Sequence, residues 1–457
     1  MHTFIGEIMN QSYWQKTTQK KEFPKLNQDI KTDILIIGGG FSGVMLAYQL
    51  RNSHFQVTVI DKDNLGSHTS GHTTAKVTVL HDVIYQKINQ YYDKQHALLY
   101  YQSNKRALLD IKKIIRKEHI DCSYQENIAY LYTSDIKKYP LLEKEKQLLT
   151  SFGEHVIEKN GTGKMIGLKN QAVFHPLQYL YAIIDICCRF HVQIYEHSLA
   201  KQIIRHHDHY TVKVNDHIVT CRYVVHATRY PFFKKGMYFM KIFQSQAYVG
   251  ISSKKDSPNS YLSLDDHHSY RPLNDHQAIV INNKNDWFAQ DSMPLRGIPY
   301  IGRLYQNEFI IYGFQKWGMT LSHVSAQLIK DLIYNNKNPY EELYSCHYFS
   351  LSFSKQYFSL MKKNILKGYL LQRYQTVDSE QIERKSGAII KKNHRLYALY
   401  RDENGKDHYF SPYCPHLKCL IHFNSKSQTW SCPCHQSVYD AYGQVLEGPS
   451  IHDLKKC

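Results

Sequence analysis

The sequence has 457 residues, enough for about three domains, and a hydrophobic fraction of 42% that can supply several cores. Lys+Arg 57 against Asp+Glu 40 leaves a net charge of +17, a surplus that can attract nucleic acid, anionic lipid or an acidic partner. The basic residues are scattered among Asn, Ile and Tyr without a long run, which is the pattern of a solvated basic surface and not of a nucleic-acid binder. The longest uncharged apolar stretch, 34–50, is broken by four glycines and does not read as a membrane-spanning helix.

Residues 1–30 are polar and irregular, and an arm lying on the body is expected there. They carry Glu7, Lys16, Lys20, Lys21 and Glu22 with no continuous apolar core, so no secretory signal is read, and a cytoplasmic location with no integral membrane segment is expected. Cys122, Cys187, Cys188, Cys221, Cys346 and Cys457 show no metal or redox spacing and are expected to be reduced and structural.

An apolar strand, Ile34 to Ile37, runs into Gly38-x-Gly40-x-x-Gly43, and a helical pattern follows through Ala47 and Leu50. A second strand, Val57 to Ile60, ends in Asp61, eighteen positions after Gly43. Strand, glycine turn, helix, second strand and acid together form the βαβ dinucleotide fingerprint. Gly38 permits the tight turn, Gly40 admits the pyrophosphate, and Gly43 lets helix and strand pack closely. The pyrophosphate would sit on the helix N-terminus, at the amides of Phe41, Ser42 and Gly43, with Asp61 on a ribose hydroxyl and Lys62 beside it. The alternative is a turn that binds nothing.

The fingerprint does not separate FAD from NAD. The segment Ser70-Gly71-His72-Thr73-Thr74-Ala75-Lys76 does: with it the chain resembles the D-amino-acid-oxidase-like FAD-dependent family, which includes glycine and sarcosine oxidases. The resemblance implies that Ser70, His72, Thr73 and Thr74 run beneath the flavin. An ordinary polar loop is the alternative. No second fingerprint is present for a nicotinamide.

Residues 82–118 place Ile84, Ile88, Tyr91, Leu98, Leu108, Ile111 and Ile115 at near-helical spacing, predicting one or two long amphipathic helices. The segment Ala172 to Leu180 again resembles the family, with Pro176 as a first helical residue; His175 is read as a helix-entry residue before it is read as a base. Short strands follow from Val192 to Ala227, and His206-His207-Asp208-His209 reads as a solvated hairpin turn more readily than as a metal site. The strand Tyr223 to Thr228 resembles the family strand returning to the FAD sheet, which would bring Thr228 and Arg229 near the cofactor. Stretches 247–251 and 278–281 suggest an antiparallel substrate-domain sheet with Tyr248, Tyr261 and Arg271 as candidate substrate contacts. Arg271 would hold a carboxylate bidentately, or be a solvated edge arginine. Arg296 stands where the family commonly has Asp before Gly-x-Pro. In Trp317-Gly318-Met319-Thr320 a helix opens, and the resemblance places its amides at the pyrimidine end of the flavin.

From Gly387 a new strand series begins, turns at Asn404-Gly405 and enters Cys414-Pro415-His416-Leu417-Lys418-Cys419. Fifteen residues separate His416 from Cys432-Pro433-Cys434-His435. One Cys and one His per loop, Cys414 with His416 and Cys432 with His435, suit a [2Fe–2S] cluster of the Rieske kind, in which two thiolates hold one iron and two imidazoles the other. Zinc also accepts Cys₂His₂, but usually from paired cysteines and paired histidines. The stretch resembles the cytochrome bc-type Rieske proteins. That resemblance extends through Ser437 to Gly443 and to Gly448-Pro449, their proline loop. It implies a disulfide between Cys419 and Cys434, the alternative being two free thiols. Lys418 and Gln436 stand where that family usually has glycine.

The fold class expected is therefore an α/β FAD-binding domain (Rossmann-like, glutathione-reductase type) with an α+β substrate domain, plus a C-terminal all-β Rieske domain. The expected boundaries are an arm at 1–30, the oxidoreductase at 31–340, a connector at 341–379 and the Rieske domain at 380–457. Within the oxidoreductase, FAD-binding parts are placed near 31–80, 170–230 and 294–335, with the substrate sheet near 235–293. The function expected is FAD-dependent oxidation of an amine or amino acid, with electrons passing to the cluster and on to an acidic carrier protein or a quinone. Two alternatives stand beside it: electrons entering at the cluster so that the flavin reduces or hydroxylates a substrate, and a cluster serving as sensor or structural clamp.

Overall fold

The computed structural model describes residues 11–231, 238, 241–281, 286–347, 376–416, 418–425, 427–434, 437–448, 450 and 452–457. His435, Gln436 and Pro449 lie outside the described residues, as does most of the 341–379 stretch. The chain divides into two compact units: Met1–Arg229 with Gln246–Phe349, and Tyr230–Ser245 with Ser350–Cys457. The sequence reading kept residues 230–245 wholly with the oxidoreductase; the structure groups them with the C-terminal part.

The first unit is built on two sheets. One has the order Tyr300–Tyr305, Glu308–Tyr312, His217–His226, Ile30–Ile37, Val57–Ile60, Gln193–Tyr195, with the hairpin Ala200–Arg205 and Tyr210–Val214 attached through His217–His226. Its centre is parallel: Ile36 lies opposite both Val225 and Val59. Ile34 to Ile37 are all buried, as a continuous apolar run must be when helices or chain cover both faces of a parallel sheet. The helix Phe41–Leu50 packs against the helix Gly318–Ile333, and both bury most of their length because each is apolar on more than one face.

The second sheet runs Trp287–Pro294, Ile242–Ser252, Ala278–Ile281, Ser269–Pro272, Ser260–Ser263, Gln125–Thr133, Lys164–Val173, Lys76–Val77, with Ile157–Asn160 on Lys164–Val173. The two stretches expected to belong to an antiparallel sheet pair directly, with Val249 opposite Ile281 and Ile251 opposite Ile279. Two helices fill 82–118, Ile84–Tyr91 and Lys94–Lys117, separated where the Asp93 side chain caps the second by accepting from His96 N–H at 2.8 Å. The His206–His209 segment is the turn of the Ala200–Arg205 hairpin, its two outer imidazoles stacked 4.4 Å apart.

The second unit carries a three-stranded sheet, Ser386–Lys392, Arg395–Arg401 and Asp407–Phe410, and a four-stranded one, His422–Asn424, Thr429–Ser431, Val438–Asp440 and Val445–Glu447. Trp430, Tyr439, Phe410, Leu420 and Ile421 form its core together with Cys414, Cys419 and Cys432. Among the described residues no helix is long and apolar enough to cross a membrane.

Candidate active site and metal centre

At the end of Ile30–Ile37 the chain turns sharply. Gly38 has φ +116°, and a Cβ there would lie 2.6 Å from the Ala227 carbonyl oxygen and 3.1 Å from Thr228 N. Thr228 is thereby brought against the glycine loop. A Cβ on Gly43 would collide with the Gly38 carbonyl, so the helix can approach the strand only with glycine there. The N-cap residue of the helix Phe41–Leu50, Gly40, has no side chain to cap it, and the first amide, Phe41 N–H, donates to Ser70 Oγ at 3.1 Å. A Cβ on Gly40 would meet that same hydroxyl at 2.9 Å. The loop, the helix start and Ser70 thus surround a cradle that any larger residue would fill, at a helix terminus suited to phosphate.

Asp61 accepts from Gly39 N–H at 2.7 Å and from Asp63 N–H at 2.9 Å. Burial pushes its carboxyl up, while the two amides and His68 oppose that. Lys62 is directed to Asp63 at 2.6 Å on the surface. The Ser70 segment is held from the other side by the N-terminal arm: Trp14 Nε1–H donates to Thr73 O at 2.6 Å, Gln15 Nε2–H to Ser67 O at 3.0 Å, and Ser12 Oγ bonds Gly71 O. Trp287 Nε1–H takes the His72 carbonyl at 3.1 Å, and the Thr73 hydroxyl accepts from Ala75 N–H.

Trp317 precedes the uncapped helix Gly318–Ile333. The turn before it places both Gln315 and Lys316 in the left-handed region, at φ +52° and +75°, which costs roughly 1–2 kcal/mol for each non-glycine residue. Thr320 Oγ1–H donates to Asn104 Oδ1 at 2.8 Å, and Met319 is buried. Nothing in the sequence pointed to His81, Tyr100 or Asn104, which support this end of the site from over 200 residues away.

Arg271 does not have the free fork expected of it. It is buried, and its donors go to backbone carbonyls: Nε to Pro272, and Nη1 to Thr74 at 3.0 Å and Phe174 at 3.1 Å. Bidentate capture of a carboxylate through Nε and Nη1 is ruled out by these bonds. Lys76 sits nearby, bonded to Tyr261 O and Ser269 Oγ. Burial, with the Arg271 charge adding, pushes Lys76 down to about 7. Tyr248 is exposed, and Tyr261 stacks on Tyr130 at 5.2 Å. His175 caps the helix Pro176–Arg189, its Nδ1 accepting from Gln178 N–H at 3.3 Å. Arg296, where the resembling family has an acid, ties the Ile298 and Pro299 carbonyls to those of Tyr344 and Ser345.

In the second unit Cys414 and Cys432 are both fully buried. Cys432 beside it holds the Cys414 thiol down to about 6 against the cost of burial, helped by Tyr439 and Ser437. Tyr439 O–H lies 3.1 Å from Cys414 Sγ. Thiolate is the ligand form of cysteine, so this pair is suited to bind metal. Cys414 N–H donates to Cys419 O and Cys432 N–H to Ser437 O, both at 2.9 Å. A disulfide joins Cys419 to Cys434 and so ties the two loops together, Cα atoms 6.5 Å apart. The Sγ atoms of Cys419, Cys432 and Cys434 lie within 4.8 Å of one another, but two of these sulfurs are spent on the disulfide. Lys418 occupies the left-handed region at φ +60°, which explains why glycine is usual there.

The sequence pattern of FAD dependent oxidoreductases matches residues 33–292. The chain belongs to the FAD dependent oxidoreductase family. A Rieske [2Fe-2S] domain matches residues 372–457. The flavoenzyme is 32% identical to Bacillus subtilis (strain 168) YhfW, named as a Rieske 2Fe-2S iron-sulfur protein, over 98% of this chain and 97% of that protein. It is 23% identical to the gamma-glutamylputrescine oxidoreductase of Escherichia coli (strain K12) across 47% of this chain and 53% of the relative. Its fold resembles that of glycine oxidase from Geobacillus kaustophilus, with TM-score 0.60 and 13% identity over 70% of this chain and all of the other. The L-amino acid deaminase of Proteus vulgaris gives TM-score 0.60 and 15% identity over 75% of this chain and all of the other. The cofactors are FAD and a [2Fe-2S] cluster. The glycine loop at the start of its helix, and the buried thiols of Cys414 and Cys432, are chemically suited to the two groups.

Proposed function

We propose that this flavoenzyme is an amine or amino-acid dehydrogenase that passes electrons from FAD to its own Rieske cluster and then to an external acceptor. The observation that carries the reading is the presence of both redox modules in one chain, each with residues suited to its cofactor. When bound, FAD supplies a two-electron acceptor that can release electrons singly, and the cluster supplies a one-electron carrier.

The residues proposed for FAD are Gly38, Gly40, Phe41, Ser42 and Gly43 at the pyrophosphate, with Asp61 and Lys62 at the ribose end. Ser70, His72, Thr73, Thr74 and Thr228 would line the flavin, and Trp317, Gly318, Met319 and Thr320 would lie at its pyrimidine end, where helix amides would favour negative charge. Cys414, His416, Cys432 and His435 are the proposed cluster ligands. The relatives named for a putrescine derivative, glycine and L-amino acids support a nitrogen-bearing substrate. The net charge of +17 suits docking of an acidic carrier, with a quinone as the other acceptor.

Anaerobic mixing with candidate amino acids and amines, followed at flavin and cluster absorbance, tests the proposal. Flavin bleaching followed by cluster reduction is the expected order. Cluster reduction by a reduced carrier ahead of any flavin change would reverse the direction of flow. Unchanged turnover with every acceptor in a His435→Cys variant of shifted potential would mark the cluster as a sensor or clamp.

A further inference from the structure

The stretch Tyr230–Ser245 lies in sequence between the strand His217–His226 of the first sheet and the bulk of Ile242–Ser252 in the second, yet it groups with the C-terminal unit. Its first residue explains why this matters. The ring of Tyr230 stands nearly perpendicular to the imidazole of His416, at 81° with centroids 5.8 Å apart. Edge-to-face pairs of this kind contribute roughly 0.5–1.5 kcal/mol beyond the area they bury. Pro231 follows and biases the Tyr230 backbone toward the extended region.

We propose that Tyr230 is a positioning residue of the iron–sulfur centre, its ring shielding His416 from water and lowering the reduction potential of the cluster. The inference rests on the reading of His416 as a ligand.

Tyr230 is only 6% exposed. A phenol is neutral at ordinary pH. A neutral ring adds no charge to the centre and acts through water exclusion and contact. In the oxidised cluster two ferric ions are balanced by two sulfides and two thiolates, with both imidazoles neutral. One added electron therefore creates one net negative charge. A poorly hydrated surrounding disfavours the charged form, so an apolar ring against a ligand holds the potential down. No electron donor beyond the flavin or dithionite is needed for this effect, since it concerns an equilibrium of the cluster alone.

The test uses the full-length holoprotein and the variants Y230F, Y230A and Y230L. Iron and FAD content, the EPR spectrum after dithionite reduction, and an EPR-monitored redox titration are measured for each. Y230F is expected to keep the wild-type g-values and potential. Y230A is expected to retain two irons and FAD per chain, with displaced g-values and a higher potential. Where Y230A loses iron, Y230L carries the test through its g-values, which are expected to be displaced because the aromatic edge is lost, while its bulk still keeps water out and holds the potential. An unchanged spectrum and potential in the iron-loaded ring-free variant would overturn the inference while leaving His416 a ligand. A shift in Y230F as large as in the ring-free variant would overturn shielding by the ring in favour of the hydroxyl. A wild-type protein without a Rieske signal would overturn the ligand reading and the inference together.

Discussion

The indole of Trp317 lies flat on the imidazole of His81, with centroids 4.4 Å apart and planes 11° from parallel. The imidazole is itself fixed. Its Nε2 is 2.7 Å from the Thr78 carbonyl, which can only accept, so Nε2 carries the proton. Nδ1 is left to accept from Tyr100 O–H at 3.1 Å. Burial pushes His81 down to about 3, so it remains neutral at working pH. His81→Phe keeps an aromatic stack but strands the buried Tyr100 hydroxyl and Thr78 carbonyl, at a cost of roughly 1–3 kcal/mol for each unsatisfied group. His81→Ala should also release Trp317. Thermal unfolding is expected to fall in both, and flavin fluorescence on dilution should show weaker FAD retention in the alanine variant than in the phenylalanine one.

Gly43→Ala places a methyl group against the Gly38 carbonyl. The strand–helix contact must then open, and overpacking of this kind costs about 1–3 kcal/mol. Expressed in FAD affinity, that is about 5- to 150-fold weaker binding. The flavin-to-protein absorbance ratio and an FAD titration of the apoprotein check this. The cluster EPR signal should not change, because Gly43 belongs to the other compact unit.

Lys418→Gly relieves a left-handed lysine at φ +60°. The strain of roughly 1–2 kcal/mol is partly offset by the greater freedom of glycine in the unfolded chain, leaving a gain of about 0.5–1 kcal/mol. The transition for thermal loss of the cluster is expected a few degrees higher than in wild type. A lower transition would show that the lysine side chain contributes more than its backbone costs.

Glu145 is fully buried and accepts from Tyr85 N–H at 3.1 Å and Gln86 N–H at 2.8 Å, at the start of the helix Ile84–Tyr91. Burial pushes its carboxyl up from 4.5 to about 8, against these two amides. The native state therefore binds the proton more tightly than the unfolded chain. The stability this contributes is full below pH 4.5 and is lost as pH rises toward about 8. Glu145→Gln removes that titration. A plot of melting temperature against pH should be flatter for the variant than for wild type between pH 4.5 and 8.

The parts legible in the sequence share one property: they are written over short spans. The spacing Gly38-x-Gly40-x-x-Gly43 is dictated by a turn that must close within a few bonds. Cys414 with His416, and Cys432 with Cys434, are likewise placed by single loops. The stretches 247–251 and 278–281 were readable as strands of an antiparallel sheet from their alternation; that they pair with each other is a result of the fold. Arg271 shows where such reading stops. An arginine at the end of a polar stretch looks available, but its freedom depended on carbonyls of Thr74 and Phe174, 197 and 97 residues away.

By itself, then, the sequence determined the two cofactor modules and singled out the short motifs proposed to hold them, because backbone geometry and metal or phosphate chemistry restrict neighbouring residues directly. Only the tertiary structure decided what stands around those ligands: His81 under Trp317, Tyr439 on Cys414, Lys76 beside Arg271 and Tyr230 against His416. These partners are brought in by packing of whole elements, and burial then sets their charge. A linear pattern carries neither, since the same tyrosine or histidine has the same sequence signature whether it meets water or a metal ligand.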